Sequence, residues 1–295
     1  MSLFKGCATA IVTPFTSDGK SIDYESMKKL IDYQINSKVS ALVVMGTTGE
    51  SATLTHQEKI DLAKFVIEYV GHRVPVILGS GTNNTESTIS LSCEFESLGA
   101  DGLLVVTPYY NKCTQQGAKE HYLALASRVG IPIILYNVPS RTGFNLLPQT
   151  VKELAQIENI VGIKEASGNI SQIAELFSVC PSGFDIYSGD DNLFYTFLAY
   201  GGSGVISVAS NIVPDLVNGI YEHFCEGRPR LSCRLQLNLL PFINTLFSEV
   251  NPIPIKQMLN EEGFGVGIPR LPLVPMSEQN KEKMKEEYKK LQRFR

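Results

Sequence analysis

Eight short, continuously apolar runs recur along the 295 residues, and their spacing constrains the fold more than any other feature. They read GCATAIVTPF (6–15), ALVVMGTTGE (41–50), PVILGSGT (75–82), GLLVVTPYY (102–110), PIILYNVP (132–139), IVGIKEAS (160–167), DIYSGDD (185–191) and GVISVAS (204–210). Hydrophobicity that does not alternate over four to eight residues marks strands buried on both faces of a parallel sheet. Helical patterns fill the gaps. The clearest is THQEKIDLAKFVIEYVGH, where Thr55 and Glu58 form a capping box and Ile60, Ala63, Val66, Ile67 and Val70 line one face. Most intervals span about 20 to 35 residues, enough for a strand and its crossover helix. Eight such units predict an α/β fold, a closed (β/α)8 TIM barrel, with chemistry at the carboxyl ends of the strands. A doubly wound open sheet is the alternative. It calls for a phosphate-binding fingerprint after the first strand, and TPFTSDGK contains none.

The barrel is expected over residues 1–224, leaving 225–295 as a C-terminal helical region. LSCRLQLNLLPFINTLFSEV, NPIPIKQMLNEEGFG and the charged SEQNKEKMKEEYKKLQRFR read as helices, either packed as an appendage or supplying an assembly surface. The last of them reads as a solvated face.

A net charge of −4 with no basic cluster argues against a nucleic-acid partner. The opening MSLFKGCATAIVTPF has one lysine, a break at Pro14 and no cleavage site, so neither a signal peptide nor a membrane span is expected. Six cysteines without a C-x-x-C pair read as free thiols in a reducing cytoplasm. Four histidines, none at ligand spacing, make a zinc site unexpected.

In a barrel, the polar residues at the strand ends converge on one mouth. Lys164 stands out because it interrupts an apolar, β-branched run. One reading is a structural strand lysine, snorkelling or paired with Glu165. The other is a nucleophile: apolar walls disfavour the ammonium, and a neutral amine attacks a carbonyl to form a Schiff base. Such chemistry needs a proton relay, for which Tyr136 on the preceding strand is suited, although a buried core tyrosine reads equally well. GTTGE offers the hydroxyls of Thr47 and Thr48 beside glycine N–H groups, a cradle for a carboxylate, though such turns are common in loops. Arg141 has the planar fork that grips a carboxylate, or is a solvated loop arginine. TPYYN places Tyr109 and Tyr110 at a strand end, one facing the mouth and one outward, either of them also suited to an interface.

In order and spacing, GTTGESATL, TPYYN, YNVPSRTG, GIKEASGN, SGDD, GVISV and NPIP-x-K (251–256) resemble the 4-hydroxy-tetrahydrodipicolinate (dihydrodipicolinate) synthase family over essentially the whole chain. The resemblance implies a class I aldolase-type barrel, a lyase of diaminopimelate and lysine biosynthesis. Lys164 would carry pyruvate as a Schiff base, with no other cofactor. Tyr136, Thr47 and Tyr110 would relay protons, Tyr110 reaching in from a neighbouring subunit. Thr48 would hold the pyruvate carboxylate and Arg141 the carboxylate of L-aspartate 4-semialdehyde, while Gly189 and Ile206 would form walls around the pyruvate. It further implies a homotetramer of two tight dimers. Thr48 and Arg141 separate this reading from sister families with the same barrel and lysine, such as N-acetylneuraminate lyase or a 2-keto-3-deoxy sugar acid aldolase. A barrel that binds without turnover is a third reading, and it is expected to have lost part of the relay.

One departure concerns regulation. Lysine-inhibited members of the family use an interface site matching Ser51, Ala52, His56, Asn83 and Tyr109, together with a histidine and a glutamate where this chain has Lys59 and Ser87. An added cation and a lost carboxylate both disfavour a lysine effector, although Glu86 is adjacent. Weak or absent lysine feedback is therefore expected.

Overall fold

The computed structural model describes residues 2–292. Eight parallel strands pair in chain order: β1 (Gly6–Ala10), β2 (Ala41–Val44), β3 (Val76–Gly79), β4 (Gly102–Val106), β5 (Ile133–Asn137), β6 (Ile160–Glu165), β7 (Asp185–Ser188) and β8 (Gly204–Ser207). β8 returns to β1, with Ile206 beside Ala8, so the sheet closes and has no edge. Each of the eight apolar runs contains one strand, and closure excludes the doubly wound alternative. The strands are shorter than the runs because the carboxyl end of each run, from two to six residues, leaves the strand at the mouth.

Alternation along the strands sorts side chains into two cores. Ala8, Ala10, Ala41, Val43, Ile77, Leu104, Ile134, Tyr136, Tyr187 and Ile206 fill the barrel interior. Cys7, Leu42, Val44, Val76, Leu78, Leu103, Val105, Ile133, Leu135, Ile163, Ile186 and Val205 face the helices. β6 breaks this parity. Its pairing with β5 shifts register, Ile133 opposing Ile160 but Ile134 opposing Gly162. Ile160 and Ile163, three residues apart, therefore both face the helices. Val161 is the extra residue, and the slip turns Lys164 inward as the register partner of Tyr136. Gly162 permits the close approach this requires, since a Cβ there would lie 2.6 Å from the Asp185 carbonyl oxygen.

The helix His56–Val70 opens with the expected capping box on Thr55 and Glu58. Its fully buried stripe is Leu62, Ala63, Val66 and Val70, whereas Ile60 and Ile67 are only partly buried against the core. Asp23, Asn84, Thr114 and Asn169 cap other crossover helices by accepting backbone N–H bonds.

After the helix Pro214–Cys225 come Pro229–Leu246, Ile253–Glu261 and Glu278–Gln292. These helices are bonded into the barrel: the Gln236 amide donates to the Asp191 carbonyl at 3.0 Å, and Lys256 reaches Glu50 at 2.6 Å. The final charged run is solvated on one side only, because Met284, Tyr288 and Leu291 are buried. Its last three residues, 293–295, lie outside the described residues. No helix among the described residues is long and apolar enough to cross a membrane.

Candidate active site

Lys164 sits near the top of the barrel interior, 5% exposed, between Tyr136 on one neighbouring strand and Tyr187 on the other. Its Nζ lies 4.5 Å from the centre of the Tyr136 ring. On its other flank Tyr187 is locked in place, stacked 4.3 Å from Phe4 and donating its hydroxyl to the Phe4 carbonyl at 2.9 Å. Among the described residues Lys164 forms no ion pair within 4 Å. Glu165, its supposed partner in the structural reading, points to the opposite face. There its carboxylate accepts from Asn137 at 2.9 Å and from the Ser167 N–H at 2.6 Å. Burial raises the Glu165 pKa, and those hydrogen bonds oppose the rise.

Behind the lysine, a Cβ at Gly189 would lie 2.6 Å from the Ala166 Cβ, 3.0 Å from the Glu165 carbonyl and 3.2 Å from Lys164 Cε. Only glycine leaves the lysine stem its room. Ile206 is fully buried and faces the same interior. Next to Gly189, burial pushes the Asp190 carboxyl up to about 6; Lys164 opposes the rise, and Asp191 and Glu165 add to it. Asp191 is bound below, its carboxylate accepting from Ser207 and from the N–H groups of Val208 and Ala209 at 2.9 and 3.0 Å.

Thr47 and Tyr136 line one small pocket with Gly46, Gly79 and Gly81. Thr47 also lines the larger cleft that opens from it, together with Tyr109, Val138 and Arg141. Thr48 is buried and its hydroxyl accepts from the Asn251 amide at 3.0 Å. Arg141, exposed at the rim, donates to the Asn251 carbonyl at 3.3 Å, which leaves most of its fork free. Of the two tyrosines, Tyr109 faces the cleft. Tyr110 points outward, 87% exposed with a left-handed φ of 70°, and does not join this chain's own site.

The far wall of the cleft was not anticipated. Val250, Asn251, Pro252, Pro272 and Leu273, all from the C-terminal region, close it opposite the strand ends. Two signals point to them: the polar Asn251 in NPIP, and Lys256 in a helix whose Ile253, Ile255, Met258 and Leu259 are buried. Among the described residues no three potential ligands cluster as a metal site.

A sequence profile of the dihydrodipicolinate synthetase family matches residues 3–291. The chain belongs to that family. It is 52% identical over 285 residues to the 4-hydroxy-tetrahydrodipicolinate synthase of Caldicellulosiruptor bescii, covering 97% of this chain and 96% of that one. The dihydrodipicolinate synthase of Thermotoga maritima superposes with a TM-score of 0.96 at 43% identity over 99% of both chains. The Cyanidioschyzon merolae enzyme, solved with lysine bound, gives 0.96 at 38% identity, again over 99% of both. The chain is thus an enzyme, a lyase of diaminopimelate and lysine biosynthesis, and the synthase reading holds over the sugar-acid aldolase alternative.

Proposed function

We propose that the chain condenses pyruvate with L-aspartate 4-semialdehyde at the Lys164 mouth. The observation that carries this is the juxtaposition of a buried lysine, without an ion pair among the described residues, and a tyrosine facing it across one strand pair. Lys164 Nζ attacks the C2 carbonyl of pyruvate, forming a carbinolamine that loses water to give the Schiff base. A proton leaves C3 to give the enamine, whose carbon attacks the aldehyde and whose new alkoxide takes up a proton. The amino group from the semialdehyde then adds to C2, closes the ring and expels Lys164. Every step moves a proton, and we assign its transfer to the Tyr136 phenol, a reading supported by Tyr136 and Thr47 lining the same small pocket. Thr48 takes the pyruvate carboxylate, Gly189 and Ile206 wall the pyruvate in, and Arg141 at the rim takes the carboxylate of the second substrate. No cofactor is needed beyond the covalent pyruvate.

Tyr110 completes the relay from a neighbouring subunit in a homotetramer of tight dimers. Its exposure and its outward direction support this, because a relay hydroxyl aimed away from its own barrel serves another.

The test is borohydride reduction of the pyruvate-loaded protein, peptide mapping, and a brief chase with aspartate 4-semialdehyde before reduction. An adduct on Lys164 that the chase removes supports the proposal. An adduct that survives the chase points to another aldehyde, and absence of an adduct returns Lys164 to a structural role.

A further inference from the structure

Glu50, the last residue of GTTGE, carries a carboxylate that leaves the mouth and enters the C-terminal region. Lys256 Nζ donates to its Oε1 at 2.6 Å, and the Arg270 backbone N–H donates to its Oε2 at 2.9 Å. Both side chains of the Lys256–Glu50 pair are 1% exposed. The Phe15 ring packs against both cations, 4.1 Å from Lys256 Nζ and 4.2 Å from the Arg270 guanidinium carbon. Arg270 in turn grips both carboxylate oxygens of Glu58, at 2.6 and 2.9 Å, and the carbonyls of Gly19, Lys20 and Thr53.

The loop so anchored is the one that bears the two threonines. Met45 (φ 57°) and Glu50 (φ 52°) bracket it in left-handed conformations, which non-glycine residues hold only when their surroundings over-determine them. Between them, the N–H groups of Gly49 and Glu50 bond the carbonyls of Gly46 and Thr47 at 3.1 Å. Thr13 donates to the Gly49 carbonyl at 2.6 Å, and Asn251 holds the Thr48 hydroxyl. A buried ion pair is a poor source of net stability compared with apolar packing of the same volume. Its directed, short hydrogen bonds do fix where a strained loop sits.

On the strength of the condensation proposed above, we infer that Lys256 is a positioning residue: through Glu50 it sets the placement of the Thr47 and Thr48 hydroxyls against Tyr136 and Lys164. It touches neither substrate nor reacting atoms.

The experiment compares wild type, Lys256→Met, the double variant Glu50→Gln/Lys256→Met, and Glu50→Asp by melting temperature, kcat, both KM values and borohydride trapping at saturating pyruvate. Lys256→Met alone strands a buried carboxylate, so a lower melting temperature is expected. The double variant removes both charges and recovers most of that loss. If the pair positions the threonines, kcat of the double variant stays about 10- to 100-fold below wild type, while pyruvate still traps on Lys164. A folded double variant with wild-type kcat overturns the inference and leaves the pair purely structural. Should the double variant not fold, Glu50→Asp decides: it keeps the charge but shortens the reach, and a wild-type kcat there also overturns it. A wild type that traps no pyruvate sinks the condensation instead, so the two failures are distinguishable.

Discussion

Lys164 Nζ lies 4.5 Å from the centre of the Tyr136 ring because the two residues are register partners on β6 and β5. The contact separates two jobs of one side chain: the ring packs against the lysine, and the proposed relay uses the hydroxyl. Tyr136→Phe keeps the first job and deletes the second. We expect kcat to fall about 10²- to 10⁴-fold, the usual worth of a general acid–base. The melting temperature should barely move, and Lys164 should still trap pyruvate, only more slowly. Steady-state kinetics beside a trapping time course checks this, and an unchanged kcat would remove Tyr136 from the relay.

Gly189→Ala tests the wall behind the lysine. The new methyl would press on Ala166, on the Glu165 carbonyl and on Lys164 Cε. Overpacking of this kind typically costs about 1 to 3 kcal/mol. Trapping on Lys164 should slow more than the loss of stability explains, because the displaced group is the nucleophile's own stem. Comparing the trapping rate with the urea midpoint separates the two effects.

Asp190 makes stability depend on pH in a direction unusual for a carboxylate. Its pKa is raised to about 6 in the fold, against about 4 in an unfolded chain. Between those values the folded state holds more protons, so the Asp190 contribution is fully present below about pH 4 and is lost as pH rises through 6. Asp190→Asn removes that dependence, worth up to about 3 kcal/mol for a shift of two units. Urea unfolding of both proteins from pH 4 to 7 should show the variant gaining on wild type as pH rises. Parallel curves would mean that Asp190 titrates normally.

Lysine should inhibit weakly or not at all. Ser51, Ala52, Lys59 and Tyr109 line the same cleft as Arg141. Burial lowers the pKa of the Lys59 ammonium, the sign of a cation held in a poorly solvated place. A second ammonium entering there meets like charge, and Ser87 offers no carboxylate in compensation. Strong inhibition at sub-millimolar lysine in a steady-state titration would show that Glu86 takes over that role.

The barrel was readable in the sequence because its signal is one-dimensional: continuous apolar runs at a βα spacing have few other uses. The strand-end residues were readable for the same reason, since Thr47, Tyr136 and Lys164 lie in the carboxyl-terminal parts of their runs and Arg141 follows one. The face each side chain takes was less so. Simple alternation from Ile160 sends Lys164 toward the helices, and only the register slip at Val161, invisible in the residue order, turns it inward. The C-terminal wall was hidden for a different reason. The Glu50–Lys256 contact spans 206 positions, and nothing local in a helix announces the loop it will bind. Asn251 in NPIP and a lysine on an otherwise buried helical face were the two available hints.

Because Asn251, Lys256 and Arg270 anchor the threonine loop, the mouth is finished only well after the barrel strands have been made. As the chain emerges from a ribosome, all eight strands are out before the groups that hold Thr48 and Glu50 have been made. A product cut short after the barrel would keep its lysine but lack Asn251, Lys256 and Arg270. If the anchors position the threonines as inferred, a nascent chain becomes competent only once synthesis has passed Arg270.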